Sequence, residues 1–286
     1  MISIVVPAHN EETVIARCLR ALVTGAAADE VEVIVACNGC TDRTAEIARS
    51  FGPPVHVIEV GRASKVAALN AADEVAGGFP RFYVDADVVL DVESVRRMAD
   101  ILERGPALFA TPALRMDLSQ TTWPVRAFYQ FWTRLPYNVK YGQVGTGVYA
   151  LSETGRKRFG RFPDIIADDA FVRFTFHPHE RVRVAEAVSW VDPPGTLPNL
   201  IQIKVRSRLG GYQLAQVAGV NNCADPKTAS ETLAFLVHHP SLLVCLPWYV
   251  GVNLLVRWKA SRQLANRQAV VWVRDDSRDR FRAGGT

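Results

Sequence analysis

Two carboxylates one residue apart close a short apolar run, Arg81-Phe82-Tyr83-Val84-Asp85-Ala86-Asp87. A run of this composition reads as a buried strand. Side chains alternate along a strand, so Asp85 and Asp87 should face the same way where it gives way to a loop. Two acids at one mouth repel each other and require a cation or hydrogen-bond donors there. Mg2+ and Mn2+ favour carboxylate, water and phosphate oxygens, so a bound diphosphate would complete the shell of such an ion. An Asp-x-Asp pair taken alone more often marks solvated turn or capping residues, and its surroundings must decide.

Other residues carry chemistry further along. Asp164 to Phe176 holds a second acidic pair, Asp168-Asp169, with His177 and His179 close behind. A cationic helix follows, with Lys204, Arg206 and Arg208, whose guanidinium groups match phosphate oxygens bidentately. Cys37-Asn38-Gly39-Cys40 has the spacing of a thiol-redox motif, a strand leading through two cysteines into a helix.

The elements that must position these groups alternate in the first half. Ile2 to Val6 is apolar throughout, as in a strand covered on both faces. A loop from Pro7 to Glu12 leads to a helix with Val14, Ile15, Cys18, Leu19 and Leu22 on one face. A second strand (Val31 to Ala36), a helix (Thr41 to Ser50), a third strand (Val55 to Val60) and a helix (Lys65 to Val75) lead to the strand Phe82 to Val84. Asp91 is placed to cap a helix running through Leu102. This order predicts a parallel, doubly wound sheet with ligands at the carboxyl ends of its strands. The middle is aromatic (Trp123, Phe128, Tyr129, Phe131, Trp132, Tyr137, Tyr141), which suits core packing or an acceptor groove, and is followed by the glycine-rich Gly142 to Gly147.

The ordered set Val6-Pro7-Ala8-His9-Asn10-Glu11-Glu12, Asn38-Gly39-Cys40-Thr41-Asp42, Lys65 with Ala67-Ala68-Leu69-Asn70, Asp85-Ala86-Asp87, Gly145-Thr146-Gly147 and Asp168-Asp169 resembles the inverting family 2 glycosyltransferases, which have the GT-A fold. The resemblance covers roughly residues 1 to 215. It implies an α/β, Rossmann-like, mostly parallel sheet and a nucleoside diphosphate sugar donor. Pro7, Ala8, Asn10 and Glu12 would frame the nucleoside. Asp85 would lie near the ribose or the water shell of an Mg2+ or Mn2+ ion that Asp87 binds. Lys65, Arg206 and Arg208 are further candidates for the donor's phosphates. Asp169 matches the position of the family's general base and Asp168 that of a group orienting it, with helix capping as the alternative. A downstream histidine, His177 or His179, is a further candidate metal ligand. One departure stands out: Cys37 occupies a position where the family often has an acid for the uracil ring, and a thiol is a poor acceptor. Asn38 or backbone groups would then read the base, with His9 stacking on it.

The chain has 286 residues, 49% of them hydrophobic, and a net charge of +4. That is enough for a sizeable core, and no basic stripe points to nucleic acid. Five scattered cysteines suit reduced thiols, and no signal peptide is visible at the N-terminus. The expected organisation is a GT-A domain over residues 1–225, with a nucleotide-sugar half (1–110) and an acceptor half (111–225), then an apolar and basic extension over 226–286. Within the extension, Leu233 to Val256 is strongly apolar but broken by Pro240 and Pro247, and Arg257, Lys259, Arg262 and Arg267 follow. A helical element kinked near Pro247 and lying on the cytoplasmic face of a membrane fits both the basic residues and a cytoplasmic sugar nucleotide; a partner subunit or a full span are the alternatives. The acceptor expected is a saccharide, a lipid-linked saccharide or a natural-product aglycone. The competing classes are a non-catalytic nucleotide-sugar-binding scaffold and a thiol-redox protein using Cys37 and Cys40.

Overall fold

The apolar runs of the first half become strands and the amphipathic segments between them helices. The structure, a computed structural model, describes residues 1–139, 145–217 and 229–266. In chain order the elements are β1 (Ile2–Ala8), α1 (Ile15–Val23), β2 (Val31–Asn38), α2 (Thr44–Arg49), β3 (Val55–Val60), α3 (Lys65–Val75), β4 (Arg81–Val84), β5 (Val89–Leu90), α4 (Val92–Arg104) and β6 (Phe109–Arg115). There follow α5 (Trp123–Trp132), α6 (Pro136–Val139), β7 (Val148–Leu151), α7 (Glu153–Arg156), α8 (Asp168–Thr175), β8 (Arg181–Trp190), α9 (Leu197–Leu214), α10 (Ala229–His238) and α11 (Leu246–Ala265).

The chain divides into two compact units. The first is drawn from Met1–Arg115, Tyr141–Asp164 and Thr175–Val191, and carries the eight-stranded sheet in the order β3-β2-β1-β4-β7-β6-β8-β5. The first four strands in that order are parallel, as the alternating sequence predicts. β7 enters antiparallel between β4 and β6, while β6 and β8 run parallel to each other. Alternation sorts the strand residues cleanly. Ile4, Val6, Val33, Val35, Phe82 and Val84 join one buried cluster with Ile15 and Leu19 of α1 and Val95 and Met98 of α4. Tyr83 points to the other face, where its hydroxyl donates to Asp73 of α3 at 2.7 Å. Asp73 also accepts from Arg81 at 2.7 Å and from Arg156, so this buried acid is held by two guanidinium groups. Those partners outweigh the desolvation that would raise it and keep the Asp73 carboxyl below its ordinary pKa.

Two boundaries differ from the sequence reading. β2 runs on through Cys37 and Asn38, which pair with Glu59 and Val60 of β3. α2 starts at Thr44 rather than Thr41, because the Asp42 carboxylate accepts from the Thr44 amide at 3.0 Å and closes a turn first. The Asp91 cap is as expected, accepting from the Ser94 amide at 2.7 Å.

The second unit is drawn from Met116–Lys140, Ile165–Phe174 and Asp192–Thr286. α5, α9 and α11 share a core of Val125, Phe128, Leu200, Val205, Val252 and Val256. Pro247 lies in the first turn of α11 and starts the helix instead of kinking it. A proline there gives up an amide that has no partner within the helix. No helix among the described residues is long and apolar enough to cross a membrane.

Candidate active site

In the first unit the carboxyl ends of β1, β2 and β4 lie side by side at one edge of the sheet. Three loops meet there. After β1, Asn10 takes a left-handed backbone conformation (φ 54°) and its side-chain oxygen accepts from the Thr41 amide at 2.8 Å. The Glu12 amide donates to Asp42 at 3.1 Å, while the Glu12 carboxylate accepts from the Arg43 amide at 3.2 Å. These reciprocal bonds join the β1 and β2 loops into one rim.

After β4 the chain turns sharply, with the Val88 amide bonded to the Asp85 carbonyl at 3.0 Å. Ala86 and Val88 are buried, leaving Asp85 and Asp87 the partly exposed members of the turn. Lys65, the first residue of α3, reaches Asp85 at 2.8 Å. Gly147 packs against this turn: its carbonyl accepts from the Asp85 amide at 2.8 Å and its φ is 64°. A Cβ there would lie 2.4 Å from a Val88 methyl group, so the close approach requires glycine. On the other side Arg17 of α1 donates to the Asp87 carbonyl at 3.0 Å.

Among the described residues no group of three or more His, Cys, Asp or Glu side chains could hold a metal ion. Two carboxylates fit a divalent cation only when a diphosphate and water bring the remaining oxygens. His177 and His179 do not complete such a set. They stack on each other, with ring centroids 5.6 Å apart, just before β8. The first residue of β8, Arg181, is level with Phe109, Leu151 and Arg81, which mark the amino end of β4. The length of β4, about 13 Å of strand, separates that edge from the acids.

Pro7 and Ala8 are buried in β1. Asn38 is fully buried, and its amide donates to the Ala8 carbonyl at 2.8 Å. It braces the two strand ends, and its buried side-chain oxygen has no hydrogen-bond partner among the described residues. His9 is held with its Nδ1 2.5 Å from the Asn38 carbonyl oxygen. Cys37 is buried, whereas Cys40 is partly exposed. A hydrogen bond from Cys37, partly offset by burial, pulls the Cys40 thiol down to about 6, and Cys37 is raised in turn.

In the second unit Asp168 and Asp169 form the first turn of α8, where carboxylates are favoured by the helix dipole. Asp168 is buried. Asp169 is exposed and accepts from the Ala170 amide at 2.8 Å. Arg206 and Arg208 are half-buried on α9. The aromatic middle divides: Phe128, Tyr129 and Phe131 are core, Trp132 is half-buried and Trp123 is exposed. Tyr141 and residues 142 to 144 of the glycine-rich stretch lie outside the described residues, as do the side chain of Tyr137 and Arg267.

Two residues at the rim escaped the sequence reading. Arg17 carries no spacing signal, since it is simply a polar position of an amphipathic helix. Trp190, half-exposed at the end of β8, pairs with Val89 two residues past Asp87, and only the sheet order brings it there.

An α/β sheet of this order, with paired acids at the carboxyl end of its fourth strand, defines a GT-A-type glycosyltransferase fold. Residues 3–158, more than half of the chain, match the family Glycosyl transferase family 2, and the chain belongs to that family. It is 34% identical over 111 residues to "Glycosyltransferase AglD" of Haloferax volcanii, a match covering 36% of this chain and 17% of that protein. Among solved structures, the mannosyltransferase PcManGT of Pyrobaculum calidifontis, in complex with GDP-Man and Mn2+, superposes with a TM-score of 0.61 at 19% identity, covering 99% of this chain and 79% of its own. Glucosyl-3-phosphoglycerate synthase of Mycobacterium tuberculosis, with Mn2+, UDP-Glc and phosphoglyceric acid, gives 0.55 at 21% identity over 80% of this chain and 81% of its own. The chain therefore carries a family 2 glycosyltransferase domain and spans 17% of the length of the curated relative it matches.

Proposed function

We propose that this glycosyltransferase moves a sugar, with inversion, from a nucleoside diphosphate sugar to an acceptor hydroxyl, and that the transfer depends on Mg2+ or Mn2+. The observation that carries the reading is the turn after β4, where Asp85 and Asp87 stand partly exposed, with Lys65 on one side and Arg17 on the other. Asp87 is the proposed metal ligand and Asp85 its partner toward the ribose or the ion's water shell. A divalent ion there would neutralise the charge that grows on a departing diphosphate. Asn10 and Glu12 shape the nucleoside rim from loops already tied to the β2 loop, and Lys65 can exchange its carboxylate for a phosphate oxygen. Arg206 adds anion-binding capacity on α9. Asp169, exposed at the start of α8, is proposed to take the acceptor proton in a single displacement, and buried Asp168 to fix that turn. Support for the donor class and the metal comes from the relatives crystallised with GDP-Man or UDP-Glc and Mn2+. The acceptor class proposed is a saccharide, a lipid-linked saccharide or a natural-product aglycone.

A thermal-shift screen of nucleotides and sugar nucleotides, with and without Mn2+, tests the donor. A selective stabilisation that requires both is expected. Equal response to every nucleotide, or none, would remove the proposal.

We also propose that the C-terminal helices rest on the cytoplasmic face of a membrane. α11 buries Val252, Val256 and Ala260 yet exposes Trp248, Leu254 and Trp258 beside Arg257, Lys259 and Arg262. Tryptophans interleaved with cations suit an anionic interface. Co-sedimentation with anionic vesicles should be lost on replacing both tryptophans by serine, and no sedimentation of the intact chain would refute the idea.

A further inference from the structure

The ammonium of Lys204 on α9 sits among three aromatic rings of α5, 4.2 Å from the Trp132 centroid, 5.3 Å from Tyr129 and 5.4 Å from Phe128. No carboxylate pairs with it among the described residues. Ring faces attract a cation by about 0.5–2 kcal/mol each but leave its protons without acceptors. A methionine would fill the same space without charge, so packing alone does not account for a lysine here. Burial pulls its pKa down to about 8, so most of the charge is kept at neutral pH against a desolvation penalty. Arg208 stands one helical turn further along the same face, half-buried and likewise without an acidic partner among the described residues. A point charge and a planar fork on one stripe, beside a half-buried indole, are the parts of an anion site next to an apolar platform.

The position of this pair on α9 says which substrate it serves. Gly210, on the same helix, lies so close to Ala167 that an added Cβ would come within 3.0 Å of the Ala167 side chain. Gln213 accepts from the Ile166 amide at 2.9 Å. α9 therefore holds the segment that runs directly into Asp168 and Asp169, and Lys204 lies about 9 Å of axial rise before that contact. The proposed base and the caged ammonium are braced by one helix.

We propose that Lys204 and Arg208 bind an anionic group, phosphoryl or carboxylate, on the acceptor, whose apolar or ring-bearing body packs on Trp132. This rests on the reading of Asp169 as the base that receives the acceptor, and names the acceptor's chemistry.

Calorimetric titration with phenyl phosphate, and with phenol as the neutral control, tests the site directly. The wild type should bind phenyl phosphate at least about tenfold more tightly than phenol, and Lys204→Met should lose about tenfold of that affinity, the size of one charge-assisted hydrogen bond. Lys204→Arg should retain most of it. UDP and GDP with Mn2+ should bind wild type and Lys204→Met alike. Equal phenyl phosphate affinity in the two proteins would overturn the proposal. So would a parallel loss of nucleotide binding, which would assign Lys204 to the donor. If Lys204→Met does not fold, saturating nucleotide and Mn2+ on the wild type decides. Unchanged phenyl phosphate binding supports a separate acceptor site, and displacement overturns it. Competition by phosphatidic acid vesicles but not phosphatidylcholine vesicles would support a lipid-borne phosphate; its absence with phenyl phosphate still bound would support a soluble acceptor. Failure of the wild type to bind any nucleotide would instead count against the donor reading, leaving the phenyl phosphate arms to judge this one.

Discussion

The two units treat charge in opposite ways. At the carboxyl edge of the sheet Asn10, Glu12, Asp42, Lys65 and Asp85 are all engaged with one another or with backbone amides. On α9 the cations Lys204, Arg206 and Arg208 have no carboxylate partner among the described residues. A rim whose groups are already bonded is pre-organised, so little rearrangement accompanies binding. A helix whose cations lack partners is completed by its ligand. Mutations in the first region should therefore disturb the rim together with its ligand, and those on α9 chiefly the ligand.

The sharpest separation should come from Asp169→Asn, which keeps the shape of the side chain but removes the base. Transfer is expected to fall by about 10²–10⁴-fold while nucleotide binding stays unchanged, measured by turnover and calorimetry. Normal turnover would withdraw Asp169 from the chemistry. Asp73→Asn should act only on the sheet unit, breaking a buried acid held by Arg81 and Arg156 at a cost of about 3–5 kcal/mol in denaturant unfolding. The pH dependence has the same origin. Because the folded-state pKa of Asp73 is depressed, its contribution is present above the unfolded carboxyl pKa and fades as pH falls through the folded one. A variant as stable as the parent at neutral pH would contradict this.

How much of this could be read in the sequence follows from how local each signal is. Asp85 and Asp87 were legible because strand alternation and two acids occupy a few consecutive residues. The parallel order of β1 to β4 followed from the strand–helix rhythm. The insertion of antiparallel β7 beside β4 did not, because partner choice in a sheet depends on contacts distant in sequence. The length of β2 was not legible either: it runs two residues further than its apolar stretch and includes Cys37 and Asn38. His177 and His179 are candidate metal ligands by sequence proximity alone, and strand register puts them at the opposite edge. Lys204 reads as a solvated basic face until the rings of α5 are set around it.

A smaller effect is expected at Arg17, which acts through the Asp87 carbonyl. Arg17→Met should weaken binding of the Mn2+-nucleotide pair by about tenfold, the loss of one hydrogen bond to a charged donor. Unaltered affinity would reduce Arg17 to packing. Least disruptive is a probe of the cysteines. Because the Cys37 hydrogen bond holds the Cys40 thiol below its ordinary pKa, iodoacetamide should label Cys40 at pH 7 faster than an ordinary thiol and slow as pH falls. Cys37, raised and buried, should stay unlabelled in the folded protein. If nucleotide lines this rim, its presence should protect Cys40.

The decisive measurement is calorimetric titration of UDP and GDP into wild type and Asp87→Ala, each with and without Mn2+. The account predicts that one nucleotide binds the wild type and that Mn2+ strengthens it by at least about tenfold. In Asp87→Ala that metal-dependent gain should vanish. An equal Mn2+ gain in both proteins would contradict the assignment of the cation to the acids after β4.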